Sequence, residues 1–183
     1  MKKRLFIAIN FDASTKLAIA QIAQTLPTHN HLKKTAVDNL HLTLLFLGDT
    51  DEELIPEIQA ALEVAAKNFF PLELTFTQMG VFPNPHLPQI VWLGLKGDGL
   101  ILAQQHLSQQ LDGMSFLRDS KPFRPHLTIA RVKGPLPKET IGALRELRPP
   151  LPPLTIVSSI DLMASQLTPA GPIYTLISSH SLK

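Results

Sequence analysis

The order of apolar and polar residues along the chain predicts short strands that alternate with amphipathic helices. Strand predictions rest on short apolar runs or on period-two alternation, and helix predictions rest on apolar residues that recur at helical spacing. The predicted strands are Leu5–Phe11, Leu40–Leu47, Leu72–Thr77, Ile90–Leu95, His126–Val132, Leu154–Met163 and Pro172–Ser179. The predicted helices are Ala13–Leu26, Thr50–Asn68, Leu100–Leu111 and Pro137–Leu147.

Residues with particular cap or turn preferences mark the ends of these elements. Asp12 is placed to cap the first helix, and Gly48 is placed to close the second strand. Thr50 and Glu53 form a capping-box pattern in front of the second helix. The stretch 80–88 begins with a glycine and is rich in proline, so we interpret it as a loop.

The predicted order of elements is similar in the two halves of the chain. It runs β-α-β-α-β-β and then α-β-α-β-β, and no glycine-rich phosphate loop suggests a Rossmann or P-loop fold. A chain of 183 residues has the size of one domain. We therefore predict an α+β fold in a single domain over residues 1–183. Its two pseudo-symmetric lobes would pack their helices outside antiparallel sheets.

The composition narrows the range of possible chemistry. Hydrophobic residues make up 44% of the chain, which is enough for a core, and the formal net charge is only +2. A site for a polyanion therefore has to come from a local cluster of cations. The chain contains no cysteine, so disulfides, thiolate catalysis and cysteine-based zinc sites are excluded.

The N-terminal segment begins like a signal peptide, but its apolar run stops at Asn10 and Asp12. That run is too short for the apolar region of a signal peptide, and no small-residue cleavage site follows it. No window of the sequence approaches the roughly 18 apolar residues of a membrane span. We therefore expect a cytoplasmic protein that does not bind a membrane.

The strongest signal is a short pattern that occurs twice, as HLTL at residues 41–44 and as HLTI at residues 126–129. Residues i and i+2 of a strand point to one face, so each copy presents an imidazole beside a hydroxyl. Two such strands side by side would place His41, Thr43, His126 and Thr128 around one cleft. These groups are suited to acid–base chemistry on a phosphate ester without a metal. We therefore predict that the two His-x-Thr strands are central to the fold.

A single copy would be weak evidence, because a strand with a half-buried histidine is the commoner explanation. Two copies that both keep their polar face favour a functional site over strand duplication without function. The segment Pro122–Pro125 stiffens the approach to the second copy, and Arg124 and Arg131 bracket its strand. Strict alternation would turn Arg131 away from His126, so a phosphate contact requires a bulge or the strand end. The alternative interpretation of each arginine is a solvated surface charge.

The remaining histidines and a proline-rich stretch receive structural interpretations. No His-x₃-His helix pair or carboxylate cluster indicates a metal site, so we expect no metal and no cofactor. Residues 148–154 fit either a stiff connector or a polyproline ligand, and we favour the connector because the stretch lies between predicted core elements. The histidines assigned to the surface or to structure are His29, His31, His86, His106 and His180.

These residues and their order make the chain similar to the 2H phosphoesterase superfamily, specifically to its bacterial RNA 2′,3′-cyclic phosphodiesterase (2′–5′ RNA ligase-like) branch. The strong matches are residues 4–8 (RLFIA), 39–44 (NLHLTL), 46–48 (FLG) and 123–131 (FRPHLTIAR). Weaker matches are residues 80–83 (GVFP), 91–94 (VWLG), and Ser165, Gly171, Pro172 and Tyr174. The chain departs from the family at residues 34–37, where an arginine and an aromatic residue are usual, and at Met163, where an aromatic residue is frequent.

The resemblance implies metal-independent hydrolysis of RNA 2′,3′-cyclic phosphate ends to 2′-phosphomonoesters by two-histidine acid–base catalysis, with reversible 2′–5′ RNA ligation at the same site. The sequence does not decide which histidine is the acid. As a hypothesis we assign the proton donor to His41 and the proton acceptor to His126. The residues expected to bind the phosphate oxygens are Thr43, Thr128, Arg131 and Arg124.

Two other functions remain open at this point. The same cleft could belong to a non-catalytic nucleotide- or RNA-binding module, although both complete motifs argue against a decayed site. It could also belong to a phosphodiesterase that acts on small cyclic phosphates such as cyclic nucleotides. For the RNA enzyme, the expected partners are RNAs with 2′,3′-cyclic phosphate ends, such as tRNA halves, and the expected state is a monomer.

Overall fold

The computed structural model describes residues 1–114, 122–169 and 171–183. These residues form nine strands and four α-helices. The strands are β1 (Lys2–Asn10), β2 (Leu32–Lys34), β3 (His41–Asp51), β4 (Leu72–Asn84), β5 (Leu87–Lys96), β6 (His126–Val132), β7 (Thr155–Val157), β8 (Ser159–Thr168) and β9 (Gly171–Ser181). The helices are α1 (Ala13–Gln24), α2 (Ile55–Ala66), α3 (Leu100–Gln110) and α4 (Lys138–Glu146).

The strands form one sheet with the order β7-β4-β5-β6-β3-β1-β8-β9, and β2 lies beside β6. Every pairing in this sheet is antiparallel. The two strands that begin with the repeated motif, β3 and β6, are neighbours near the middle of the order. The structure therefore confirms an α+β fold with central His-x-Thr strands, built on one continuous sheet.

The helices cover one face of the sheet and leave the other face open. Along β1, the alternate residues Leu5, Ile7 and Ile9 are fully buried in the main core, together with residues of all four helices. Burial of such an aliphatic side chain contributes roughly 1.5–3 kcal/mol. The intervening Phe6 and Ala8 are also buried, but they belong to a separate small cluster. Because alternate residues point to opposite faces, this second cluster marks the side of the sheet away from the helices.

The first helix and the second motif strand follow the sequence predictions closely. Helix α1 begins after Asp12, whose carboxylate accepts a hydrogen bond from the Thr15 backbone N–H at 2.7 Å. Strand β6 has the bounds that the sequence predicted, His126–Val132. In both cases a local signal and the tertiary packing favour the same structure.

The predicted end of the first motif strand is wrong. Gly48, with φ of 68°, lies at an irregularity in the pairing with β1, and β3 continues beyond it to Asp51. The Thr50 hydroxyl donates to the Leu47 carbonyl at 3.2 Å and caps no helix. A 3₁₀ turn at Glu52–Leu54 then precedes α2. The strand continues because its partner β1 extends to Lys2, opposite Asp51.

The stretch interpreted as a proline-rich loop is a strand and a hairpin. Strand β4 runs through this stretch to Asn84 and pairs with β5. The hairpin turn is tied by the Asn84 side-chain carbonyl, which accepts from the backbone N–H groups of His86 and Leu87. Prolines are tolerated here because the pairing is irregular next to Pro83. The short, polar strand β2 was not predicted at all.

Residues 148–154 connect α4 to β7, and Pro150–Pro153 lie along α1 in a shallow groove with Ala18 and Gln21. This position agrees with the interpretation of the stretch as a connector. Along the part of the chain that the structure describes, none of the helices combines the length and apolar character needed to cross a membrane.

Candidate active site

The two motif strands meet at one residue pair. Leu42 of β3 lies opposite Leu127 of β6, and both side chains are fully buried. Around an antiparallel pair of this register, His41 of one strand lies beside Thr128 of the other, and Thr43 lies beside His126. Because the leucines point into the core, the flanking imidazoles and hydroxyls point to the open face. The structure therefore brings together the four residues that the repeated motif singled out.

The two imidazoles are oriented in the same way. Nδ1 of His41 lies 2.7 Å from the Asn39 carbonyl, and Nδ1 of His126 lies 2.6 Å from the Arg124 carbonyl. A carbonyl oxygen can only accept, so Nδ1 carries the hydrogen in both rings. Nε2 is then the nitrogen that takes up or releases a proton. Each motif thus fixes its tautomer with the backbone carbonyl two residues earlier.

The Nε2 atoms differ in their surroundings. In the first motif, the Thr43 hydroxyl lies 3.0 Å from His41 Nε2 and donates to it when the ring is neutral. Within the described residues, neither His126 Nε2 nor the Thr128 hydroxyl has a hydrogen-bond partner. The first motif is therefore satisfied internally, whereas the second motif presents an open acceptor and an open donor.

A β-bulge turns Arg131 towards the cleft. Thr128 pairs with Trp92, but Ala130 pairs with the adjacent Val91, so Ile129 is an extra residue in β6. Ile129 and Ala130 are both fully buried, and Arg131 is exposed on the face that carries Thr128. The alternation of the sequence required a bulge or the strand end for Arg131 to contact a phosphate, and the structure has the bulge.

A matching bulge follows the first motif. Thr43 pairs with Ala8, and Leu45 pairs with the adjacent Ile7, so Leu44 is an extra residue in β3. Leu44 and Leu45 are both buried. The next residue, Phe46, therefore points to the open face, in the position that Arg131 occupies on the other strand.

Aromatic rings flank both imidazoles, and the sequence reasoning assigned them no role in the site. Phe6 lies 5.0 Å from the His41 ring centroid, and Tyr174 meets the same ring edge-on at 5.1 Å. Phe82 meets the His126 ring edge-on at 5.2 Å. The family matches at residues 4–8, at residues 80–83 and around Tyr174 were the only signal for these positions.

The position of Trp92 depends on a glycine. The Trp92 ring lies over Gly80 on the neighbouring strand, where a Cβ atom would overlap the ring. The ring stacks with Phe82 at 5.0 Å between centroids and lies 6.5 Å from His126. Its indole N–H is buried and has no hydrogen-bond partner within the described residues. Gly80 is therefore needed to hold Trp92 flat against the sheet beside His126.

Burial lowers the pKa of His41 below its ordinary value of 6.5. The Asn39 carbonyl opposes this effect because it accepts from the charged ring, and the nearby charges of Lys16, Arg131 and His126 lower the pKa further. Residues of the second motif strand thus lie close enough to act electrostatically on the first histidine. At neutral pH, His41 is predominantly uncharged.

Two guanidinium groups lie near Tyr174. Burial raises the pKa of the Tyr174 hydroxyl above 10.0, and the charges of Arg131 and Arg4 oppose that rise. Neither arginine forms an ion pair within the described residues. Their charges are therefore free to attract an anion into the cleft.

A hydrogen-bonded carboxylate supports the wall beside His41. Asn10 pairs with His41 across β1 and β3, and its amide donates to Asp161 at 2.7 Å and lies 3.5 Å from the Met163 sulfur. Asp161 is 5% exposed and also accepts from the Ser179 hydroxyl at 2.5 Å. Met163, which departs from the aromatic residue frequent in the family, therefore packs in this wall rather than projecting from it.

Arg124 contributes its backbone to the site. Its carbonyl orients His126, and its exposed side chain has no ion pair within the described residues. Across the same residues, no group of three or more histidine, aspartate or glutamate side chains could hold a metal ion. Of the histidines interpreted as structural, His180 is buried and contacts Glu63 at 3.2 Å, and His31 contacts the Pro135 carbonyl at 2.7 Å.

The whole chain resembles known proteins. The sequence model of the 2′-5′ RNA ligase superfamily matches residues 11–168. A relative from Methanothermobacter thermautotrophicus, named RNA 2′,3′-cyclic phosphodiesterase, is 35% identical over 178 residues, which are 96% of each chain. A relative of the same name from Archaeoglobus fulgidus is 36% identical over 172 residues, 93% of this chain and 96% of that one. The crystal structure of TT0787 of Thermus thermophilus has a TM-score of 0.86 and 29% identity, and the match covers 98% of this chain and 97% of that one.

Proposed function

This chain belongs to the 2′-5′ RNA ligase superfamily, and from that premise we propose that its cleft opens 2′,3′-cyclic phosphates at RNA ends. The protein is an RNA 2′,3′-cyclic phosphodiesterase of the 2H phosphoesterase type. Its product is a 2′-phosphomonoester, so the 3′ oxygen is the leaving group.

One observation carries the proposal. Both imidazoles hold Nδ1–H against a carbonyl and leave Nε2 on one open face, next to two hydroxyls and one guanidinium. Hydrolysis of a cyclic phosphate needs a base for water, an acid for the leaving oxygen and donors for the non-bridging oxygens. The cleft supplies each of these groups from its own side chains.

The proton transfers follow from the two Nε2 atoms. We assign His126 as the base: its free Nε2 takes a proton from water as the water oxygen bonds to phosphorus. We assign His41 as the acid: its protonated Nε2 gives a proton to the 3′ oxygen as the phosphorus–3′-oxygen bond breaks. A lowered pKa makes protonated His41 a stronger acid but a scarcer one. Each transfer is worth roughly 10²–10⁴ in rate.

Charge builds up on the phosphate oxygens as water attacks. The Thr128 hydroxyl is free to donate to one non-bridging oxygen, and the Thr43 hydroxyl donates to another once it leaves His41 Nε2. Arg131 adds a fixed positive charge on the same face. Arg124 is a further phosphate ligand in this proposal, because its exposed side chain precedes the second motif.

The same site joins two RNA ends when a 5′-hydroxyl of a second RNA replaces water as the nucleophile, and the reverse of that step cleaves a 2′–5′ linkage. Attack by an acceptor hydroxyl on the cyclic phosphate, with loss of the 3′ oxygen, gives a 2′–5′ linkage. Water at its high concentration favours hydrolysis. We also propose that the protein acts as a monomer, because one chain supplies both motifs, and that it acts in the cytoplasm, where RNA ends are available.

The decisive experiment uses an oligoribonucleotide with a 2′,3′-cyclic phosphate end in the presence of EDTA. We expect the wild type to convert it to a 2′-phosphate end, and His41→Ala and His126→Ala to be slower by at least about 10². His106→Ala is the matched control, because His106 is a surface residue on α3. Loss of wild-type activity in EDTA would overturn the metal-free mechanism. Tight binding without turnover would favour a binding module.

A further inference from the structure

A row of side chains leads away from His41 along β1 and β3. These two strands pair along the whole of β1, with extra residues in β3 at two places, and the residues of β1 that share the face of Phe6 are alternate positions. Each step along the row is roughly 7 Å, the length of two strand residues. Starting at His41, the pairs on the open face are Asn10 with His41, Ala8 with Thr43, Phe6 with Phe46, and Arg4 with Asp49.

Phe46 presents an exposed ring in this row. It is 47% exposed, whereas its neighbour Phe6 is 2% exposed. The two ring centroids are 6.2 Å apart, and the Phe6 centroid is 5.0 Å from that of His41. Phe46 is therefore one ring removed from the reacting group, with much of its surface open to a ligand.

Arg4 lies one pair further along the row. Asp49 is opposite Arg4 in register, but within the described residues Arg4 has no ion pair. Its charge also acts on Tyr174, which touches His41 edge-on. Arg4 is thus a free cation on the same side of the cleft as Phe46.

A comparison of the two bulges indicates which part of a ligand the β3 side of the cleft is suited to bind. Both bulges turn the residue after them to the open face, as Arg131 on β6 and as Phe46 on β3. A guanidinium suits the phosphate, and an exposed aromatic ring suits the flat face of a nucleobase. The β3 side of the cleft is therefore suited to a base, followed by a phosphate at Arg4.

We propose that Phe46 and Arg4 form a subsite for the penultimate nucleotide, which lies on the 5′ side of the nucleotide that bears the cyclic phosphate. Phe46 stacks on the base of the penultimate nucleotide, and Arg4 contacts the phosphate on its 5′ side. The inference rests on the proposed function and identifies the preferred substrate as a single-stranded RNA end rather than a cyclic mononucleotide. Stacking tolerates every base, so this subsite selects length and not sequence.

The test compares two substrates with each variant. One substrate is a short oligoribonucleotide with a 2′,3′-cyclic phosphate end, and the other is the corresponding 2′,3′-cyclic mononucleotide. For Phe46→Ala, we expect the ratio of kcat/KM for the two substrates to fall about tenfold, within the roughly 5- to 150-fold range of one stacked base. Phe46→Trp should keep the ratio. Phe70→Ala removes a phenylalanine that is 69% exposed outside the cleft and should leave it unchanged.

Arg4→Gln provides a second, independent readout. We expect the slope of log KM for the oligonucleotide against log salt concentration to fall by about one, which corresponds to the loss of one phosphate contact. An equal effect of Phe46→Ala on both substrates, or none on either, would overturn the subsite and leave the proposed function intact. Failure of the wild type to turn over either substrate would overturn the proposed function, and the subsite with it.

Discussion

The two motif strands share their backbone geometry and differ in what surrounds it. Each begins with a histidine held by the carbonyl two residues earlier, and each has a bulge directly after the threonine. Around His41 the wall is closed by Phe6 and Tyr174, and Nε2 is occupied by Thr43. Around His126, Nε2 is free within the described residues. The same local structure therefore gives one sheltered imidazole and one open imidazole.

This difference shows how a repeated pattern can carry two roles. The backbone sets the same tautomer in both halves, as the proposed mechanism requires if both Nε2 atoms are to face the phosphate. The packing around the two rings then differs: burial lowers the pKa of His41, whereas water can reach His126 Nε2. In the proposed mechanism, the acid and the base thus differ through their neighbours and not through their own motifs.

The largest expected effect separates the proposed roles of the two histidines. The test uses a substrate with sulfur in place of the bridging 3′ oxygen. On the natural substrate, we expect His41→Ala and His126→Ala each to lower kcat by roughly 10²–10⁴. A thiolate leaves without a proton, so the sulfur substrate should restore most of the rate of His41→Ala and little of that of His126→Ala. Single-turnover rates on both substrates measure this. Restoration of His126→Ala instead would reverse the assigned roles.

The next largest effect is expected from substitution of Arg131, which follows the bulge of β6 where Phe46 follows the bulge of β3. We expect Arg131→Gln to lower kcat/KM about 10²-fold, because the charge that develops on the phosphate loses its guanidinium partner. The measurement is steady-state kinetics on the cyclic-phosphate oligonucleotide. Arg145→Gln, which removes an exposed arginine of α4, is the control and should have no effect. A similar loss in both variants would mean that Arg131 acts only through the overall charge.

The carbonyl that holds His41 is itself fixed by a side chain. The Asn39 amide donates to the Pro172 carbonyl at 2.9 Å and ties this turn to β9. A hydrogen bond of this kind is worth about 1 kcal/mol, so Asn39→Ala should lower kcat by up to about tenfold and leave KM unchanged. Asn68→Ala removes a comparable bond to the Val64 carbonyl away from the cleft and serves as the control. A rise in KM alone would contradict a positioning role.

The smallest expected effect is on the pH dependence. Burial lowers the pKa of His41, and this reduces its protonated, acidic form at neutral pH. Tyr174→Ala exposes the ring to water, so the pKa should rise towards 6.5 and the limb of the pH profile that His41 governs should move to higher pH. NMR titration of the His41 ring measures the pKa directly. Tyr174→Phe keeps the ring contact, and a shift of equal size in that variant would count against the explanation by burial.

The sequence was most informative where one local signal dominated. The repeated His-x-Thr pattern located the centre of the sheet, and Asp12 located the start of α1. The capping box at Thr50 and Glu53 failed because strand pairing with β1 drew Thr50 into β3. A hydrogen-bonded partner far along the chain outweighed a local cap, and that partner is not visible in a window of sequence.

The sequence contains a signal for both bulges, which is missed when strict alternation of buried and exposed residues is assumed. Leu44 and Leu45, like Ile129 and Ala130, are two consecutive apolar residues at the same place in both copies. Two buried neighbours in an otherwise alternating strand indicate an extra residue, which would have turned Arg131 towards the cleft. Phe6, Phe82 and Tyr174 had no comparable signal, because their approach to the histidines depends on which strands become neighbours.

The near two-fold relation of the motif strands bears on regiochemistry. Half a turn about an axis between Leu42 and Leu127 would exchange the 2′ and 3′ oxygens of a bound cyclic phosphate between the two imidazoles. A fully symmetric scaffold would open the ring in either direction and release a mixture of isomers. In our proposal, the unlike pair, Phe46 and Arg131, distinguishes the two poses. The isomeric purity of the product therefore measures how far the two halves of the cleft have diverged.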